Sequence, residues 1–271
     1  MVFATLRLVH ILFFRAVGKL FFYVFKKRRK IALQNVKRCG YKPAKKIVKK
    51  SFVNLGHTLG DFLLLKFYTN KNIDKFVRVK NIDYLEQAIS KGKGVILSGA
   101  HFGSWELAAH YLALKGYKSL ILYNKFKKPY WLDGVVKKQR ERNGNRLVDK
   151  KNSFLSLYKH LKNGGLTVLL TDQHAAEHEG EKVKLLGQDV FTHTTFIKMS
   201  IKTEAPIVPA FLFVDGISKY TIKLFKPIDP KNYKSENAIK LMTRECNKAL
   251  EKSIKKAPHL WMWQHRRFKD S

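Results

Sequence analysis

Cysteine is nearly absent from this 271-residue chain. Cys39 and Cys246 stand far apart and without Cys-x-x-Cys spacing, which speaks against a disulfide framework or a zinc ribbon. A chain of this length buries a core without such staples, so two structural thiols in a reducing compartment is the reading. Acidic residues are also scarce: 20 Asp and Glu face 54 Lys and Arg, a formal net charge of +34. That field attracts polyanions such as nucleic acid, anionic lipid headgroups or an acidic carrier protein. The lysines are spread along the chain, so part of the excess is a matter of composition. No internal repeat and no low-complexity linker is present. With 45% hydrophobic and 13% aromatic residues, the chain has the makings of a folded body, not a disordered one.

A clean hydrophobic run is missing as well. Residues 2–25 are dense in Phe, Leu and Val, but Arg7, His10, Arg15 and Lys19 interrupt the roughly 20 apolar residues that a bilayer span requires. At about 100° per residue those four positions occupy half of a helix circumference. Val9, Leu12, Phe13, Ala16, Val17, Leu20 and Val24 are left on an uncharged face, the pattern of an interfacial helix. The run Lys26-Lys27-Arg28-Arg29-Lys30 follows where a signal peptide would carry small cleavage-site residues, so the segment is expected to be retained. Residues 1–30 read as a membrane-associating helix with a basic run that holds residues 31–271 on an anionic membrane surface. Whether the helix lies in the interface or dips deeper stays open, and a helix packed on the body is the competing reading.

Two helices are predicted between residue 31 and about 66, broken at Gly40 and Pro43. Short β-type runs then alternate with helical stretches: 75–80, 94–100, 119–124, 166–172, 206–214 and 220–225. The continuously apolar runs at 94–100 and 166–172 suit central strands buried on both faces, and Asp215-Gly216 marks a hairpin. The predicted fold is α/β, with a mixed, largely parallel central sheet flanked by helices.

Within that pattern His101 falls at the carboxyl end of an apolar strand, where α/β sheets place their ligands. Phe102-Gly103-Ser104 turns the chain into a helix, with Ser104 as the expected N-cap and Glu106 in the first turn. His-x4-Glu across a turn is not the helical spacing of a zinc pair. It allows a carboxylate to orient the imidazole and stabilise its protonated form, so that His101 could deprotonate a hydroxyl. On spacing alone the match is weak, and a satisfied core histidine beside a surface glutamate is the stronger reading. His174, Glu177, His178, Glu179 and Glu181 read as a solvated loop sooner than as a metal site.

His101-Phe102-Gly103-Ser104-Trp105-Glu106-Leu107 resembles the His-x4-Asp/Glu motif of the glycerolipid acyltransferase superfamily, in the Glu form of the lipid A late acyltransferases. Further blocks similar to that family follow in its order: Arg140 to Gly144, Leu170 to Gln173, Ala205 to Pro209, and Trp261 to Phe268. The resemblance implies His101 as general base with Glu106 as its partner, and Arg140 and Asp172 as substrate-binding polar residues. Read alone, Arg140 is equally an exposed helix charge. The segment after Leu122 lacks the arginine that the family pattern leads one to expect, with Lys125 or Lys127 as a substitute point charge. The implied reaction is acyl transfer from an acyl carrier protein thioester to a hydroxyl of a Kdo-bearing lipid A precursor. It takes place at the cytoplasmic face of the inner membrane and requires no metal or bound cofactor. Acylation of another glycolipid or a lysophospholipid is the alternative. A nucleic-acid-binding role is disfavoured, because no reading motif is present and the aromatics sit in apolar segments.

Overall fold

The structure, a computed structural model, describes residues 2–126, 128–150 and 153–269; Lys127 lies outside the described residues. Three helices open the chain, α1 (Val2–Val24), α2 (Lys26–Arg38) and α3 (Ala44–Leu64). The alternating part runs β1 (Val77–Lys80), α4 (Asp83–Ser90), β2 (Val95–Gly99), α5 (Trp105–Leu114), β3 (Ser119–Tyr123), α6 (Tyr130–Arg140) and β4 (Arg146–Asp149). It continues through α7 (Ser153–Lys162), β5 (Leu166–Leu170), β6 (Gly180–Leu185), β7 (Gln188–His193), α8 (Thr195–Thr203), β8 (Ile207–Val214), β9 (Tyr220–Leu224) and α9 (Ala238–Lys256).

Seven strands form one sheet in the order β1-β9-β8-β2-β5-β3-β4. Only β8 and β9 pair antiparallel, through the hairpin at Asp215-Gly216; their neighbours in the sheet run parallel. The fold is therefore the mixed, largely parallel α/β sheet flanked by helices that the sequence suggested. Strand β2 lies at its centre with all but Gly99 buried, as an apolar run covered on both faces requires. Strands β6 and β7 make a separate antiparallel pair that the sequence reading did not foresee, nor did it foresee β4 or α9.

Helix α1 packs in an unusual sense. Arg7, His10 and Arg15 turn toward the body together with Ile11 and Phe22, while much of the apolar surface of the helix, and Lys19, turns away. Arg7 is 1% exposed and its guanidinium faces Asp61 of α3, which is 0% exposed, at 3.4 Å. Arg7 also donates to the hydroxyls of Tyr68 and Tyr220, and Tyr220 in turn donates to Asp61 at 2.7 Å. His10 reaches the Gly60 carbonyl oxygen at 3.1 Å and Arg15 reaches His57 at 3.2 Å. The helices touch backbone to backbone at Gly18 and Gly56, where a Cβ on Gly56 would run into the Phe14 carbonyl oxygen. On the opposite side, Leu6, Val9, Leu12, Phe13, Leu20 and Val24 are exposed, Phe13 by 62%. The segment therefore packs on the body, the competing sequence reading, and also leaves apolar side chains facing outward.

Among the described residues no single helix is long and apolar enough to cross a membrane, and α1 and α2 meet at a 90° bend. Ile11 and Phe22 of α1 also belong to the buried cores beneath it, so residues 2–24 are packed into the same body as the sheet.

The buried Arg7–Asp61 pair yields a stability prediction. Arg7→Met leaves a desolvated carboxylate and is expected to cost about 3–5 kcal/mol, whereas adding Asp61→Leu should recover most of the loss. Denaturation of the three variants in detergent solution checks both outcomes.

Candidate active site

Strands β2 and β5 are parallel neighbours in a register that sets Gly99 opposite Leu170. Two residues beyond each, at the carboxyl ends, His101 and Asp172 come side by side. His101 Nδ1 lies 2.8 Å from Asp172 Oδ1, and the His101 backbone N–H donates to Asp172 Oδ2 at 3.1 Å. Trp261, from the segment after α9, donates its indole N–H to the same Oδ2 at 2.9 Å. Three donors on one buried carboxylate hold it ionised against the desolvation that would raise its pKa, and Asp172 ends below its ordinary value. Burial pulls the His101 pKa down, but the charge and hydrogen bond of Asp172 outweigh it and leave the ring raised above the ordinary histidine value, with the Glu106 charge adding to the effect.

The carboxylate on the His101 ring is therefore Asp172, where His-x4-Glu spacing suggested Glu106. Glu106 is turned to Arg140 at the end of α6, in a two-point ion pair: Arg140 Nη2 donates to Oε1 at 2.5 Å and Nε to Oε2 at 3.0 Å. Trp105 adds its indole N–H to Glu106 Oε1 at 3.1 Å. The physical reason is registration across the sheet. A strand neighbour fixes His101 and Asp172 at one level, while the first turn of α5 carries Glu106 toward α6. All four singled-out residues come together, as two adjacent acid–base pairs. Burial lowers the Arg140 pKa, but the Glu106 charge and hydrogen bonds leave it raised, so it remains a cation.

The turn between His101 and α5 is clamped from two directions. Thr58 of α3 donates to the Gly103 carbonyl oxygen at 2.7 Å, the Gly103 N–H donates to Leu260, and the Met262 N–H donates to the His101 carbonyl oxygen at 3.0 Å. Gly103 has φ +62°, and a Cβ there would collide with the Leu212 backbone. Ser104 occupies the N-cap position of α5 but makes no side-chain capping bond, contrary to expectation. The tail Trp261 to Phe268 supplies part of this support. Its role was hidden in the sequence because it depends on contacts some 90 to 160 residues away in the chain.

A cavity of about 360 Å³ opens beside these pairs. His101, Arg140 and Gln173 are among its polar lining residues, and Ile96, Leu157, Leu161, Leu169, Phe196 and Met199 are among the apolar ones that make up the larger share of its wall. Among the described residues no group of three or more His, Cys, Asp or Glu side chains is arranged to hold a metal. Glu179, of the acidic and histidine-rich loop, lies 3.6 Å from His193 on the cavity wall.

An imidazole whose Nδ1–H is committed to a buried carboxylate keeps its Nε2 lone pair to accept a proton. Beside an apolar cavity, such a group suits an α/β enzyme that moves acyl chains by general-base catalysis. Comparison with known proteins narrows the class. The family described as bacterial lipid A biosynthesis acyltransferase matches residues 7–270, and the chain belongs to that family. It is 26% identical over 261 residues to the lipid A biosynthesis lauroyltransferase of Escherichia coli K12, covering 93% of this chain and 83% of that one. To the palmitoleoyltransferase of the same organism it is 22% identical over 250 residues, covering 90% and 79%. Among solved structures it is similar to the 1-acyl-sn-glycerophosphate acyltransferase PlsC of Thermotoga maritima, with a TM-score of 0.42 and 15% identity, over 93% of this chain and 97% of that one. The protein is an acyltransferase of lipid A biosynthesis.

The Trp261 contact gives a testable expectation. Trp261→Phe keeps the ring but removes the donor to Asp172. It should lower kcat by about tenfold, the equivalent of one hydrogen bond to a charged group, with little change in KM. Arg140→Lys, which keeps the charge but loses the two-point fork, should lower thermal stability and activity together.

Proposed function

We propose that the protein transfers a fatty acyl chain from an acyl carrier protein thioester to a hydroxyl of a Kdo-bearing lipid A precursor, at the cytoplasmic face of the inner membrane. The observation that carries this reading is the His101–Asp172 pair, whose imidazole lines a mainly apolar cavity. The acyl chain lies along Leu157, Leu161 and Phe196 with its thioester carbonyl near His101. Nε2 of His101 takes the proton of the acceptor hydroxyl as that oxygen attacks the carbonyl carbon. Asp172 stabilises the imidazolium that results. When the tetrahedral intermediate collapses, the C–S bond breaks and the departing sulfur takes the proton back from His101. Arg140, held by Glu106, offers a fixed cation beside the developing negative oxygen or an acceptor phosphate.

Membrane attachment fits two features. The outward face of α1 is apolar, and Lys26 to Lys30 form the first turn of α2, where no acidic side chain offsets them. Cations at the positive end of a helix gain little from the helix itself and are well matched to anionic headgroups. Since α1 also fills part of the core, deleting residues 1–25 is expected to damage folding as well as attachment.

Loss of the base tests the reaction. His101→Ala should reduce transfer by about 10²–10⁴-fold with the thermal transition largely retained. In the wild type, kcat/KM should rise with pH through a midpoint above the ordinary histidine value of about 6.5, because the raised pKa keeps the base protonated at lower pH. Mass spectrometry of lipid A from cells expressing wild type, His101→Ala or no enzyme reads the first outcome. A folded His101→Ala protein with full transfer would overturn the proposal.

A further inference from the structure

The mouth of the cavity carries a second apolar surface, remote in sequence from α1. Phe126 and Phe154 line the cavity and are also exposed to the outside. Four and five residues further along the chain, at the start of α6, Tyr130 is 74% exposed and Trp131 69%, although neither lines the cavity. Leu155, beside Phe154 on α7, is likewise exposed. Lys125 and Lys128 flank the aromatic group and are exposed. The Phe126 N–H donates to Asp133 of α6 at 3.0 Å, and at the far end of α6 Gln139 donates to the Phe62 carbonyl oxygen of α3. Helix α6 is thus tied to the helix against which α1 packs.

We infer that this lip, centred on Phe126, Tyr130, Trp131 and Phe154, inserts into the headgroup region of an anionic bilayer, so that the cavity opens directly into lipid. Two arguments select a bilayer as the occupant. Tyr and Trp side by side, with lysines alongside, are the residue types that settle at a membrane–water boundary, the rings among the acyl carbonyls and the cations against anionic headgroups. The exposed face also continues into a cavity whose wall is mainly apolar, so a chain entering from lipid need not cross water. An acidic carrier protein would be met by the lysines but would leave Tyr130 and Trp131 bare. The last step rests on the proposed lipid substrates; the location of the lip does not.

Trp131 is its own reporter. Full-length protein is bound to vesicles of phosphatidylcholine and phosphatidylglycerol that contain brominated phosphatidylcholine, and fluorescence is compared with Trp131→Phe to isolate the Trp131 signal. The expected result is a blue-shifted Trp131 component, quenched by the brominated chains and shielded from aqueous iodide. A Trp131 component that stays iodide-accessible and unquenched on bound protein overturns the inference. So does one that changes only on adding acyl carrier protein, or only with protein concentration, as a protein partner or a second copy would require. A second variant, Tyr130→Ser with Trp131→Ser, should keep its thermal transition and its transfer activity in detergent while losing about tenfold in transfer to acceptors in vesicles, the effect of roughly 1.4 kcal/mol of lost partitioning. Equal activity in both settings also overturns it. If no transfer occurs in detergent even for wild type, the reaction proposed above fails, while the quenching result still decides the fate of the lip.

Discussion

The register between two parallel strands, with Gly99 opposite Leu170, is the constraint on which the site depends. A shift of one residue would turn His101 or Asp172 to the other face of the sheet, because side chains alternate with a period of two. With the register as it is, both residues leave their strands at one level. A buried carboxylate then meets the imidazole with no intervening turn to adjust. Such a carboxylate would be costly if it were unsatisfied, and three donors from two parts of the chain meet it: the His101 ring, the His101 backbone and Trp261. The tail is thereby tied to the His101–Asp172 pair, through the same segment that clamps the turn at Gly103.

Charge is neutralised locally in pairs throughout this region, although the chain as a whole carries +34. His101 faces Asp172, Arg140 faces Glu106, and Arg7 faces Asp61. The scarce acidic residues are thus spent in part on buried positions, where an unpartnered cation would be most costly. Arg267 shows the other solution: nearly fully buried, it donates to the Phe191 carbonyl oxygen and the Thr192 hydroxyl, and burial lowers its pKa to about 10. The same economy explains the orientation of α1. With Arg7, His10 and Arg15 engaged by the body, Leu8, Val9, Leu12 and Phe13 between them are left facing outward.

Much of the fold was legible because buried central strands write themselves as apolar runs. Residues 94–100 and 166–172 became β2 and β5, and Asp215-Gly216 marked the one antiparallel hairpin of the main sheet. Strand β4 escaped because Arg146-Leu147-Val148-Asp149 is short and half polar at the sheet edge. The β6–β7 pair escaped because its turn is Leu186-Gly187, both at positive φ, without the Asn-Gly or Asp-Gly signal that such turns favour. For α9 the signal was present in Met242, Cys246, Leu250 and Ile254, four residues apart and buried, but the interleaved lysines masked it. At the site, the sequence pointed to His101, Glu106, Arg140 and Asp172, yet spacing along the chain could not say which acid serves which base. That assignment depends on which strands are neighbours, and β5 inserts between β2 and β3 only in three dimensions.

The pairing of His101 with Asp172, and of Arg140 with Glu106, is the point on which the account stands or falls. The most direct test is a titration of the His101 ring by NMR in protein with labelled histidine, comparing wild type, Asp172→Asn and Glu106→Gln, with His101→Gln used to assign the resonance. The account predicts a wild-type midpoint above the ordinary histidine value, a large fall in Asp172→Asn because the imidazolium loses its buried counter-charge, and a smaller fall in Glu106→Gln. A midpoint that falls in Glu106→Gln but stays unchanged in Asp172→Asn would contradict it, and would return Glu106 to the place beside the imidazole that its spacing first suggested.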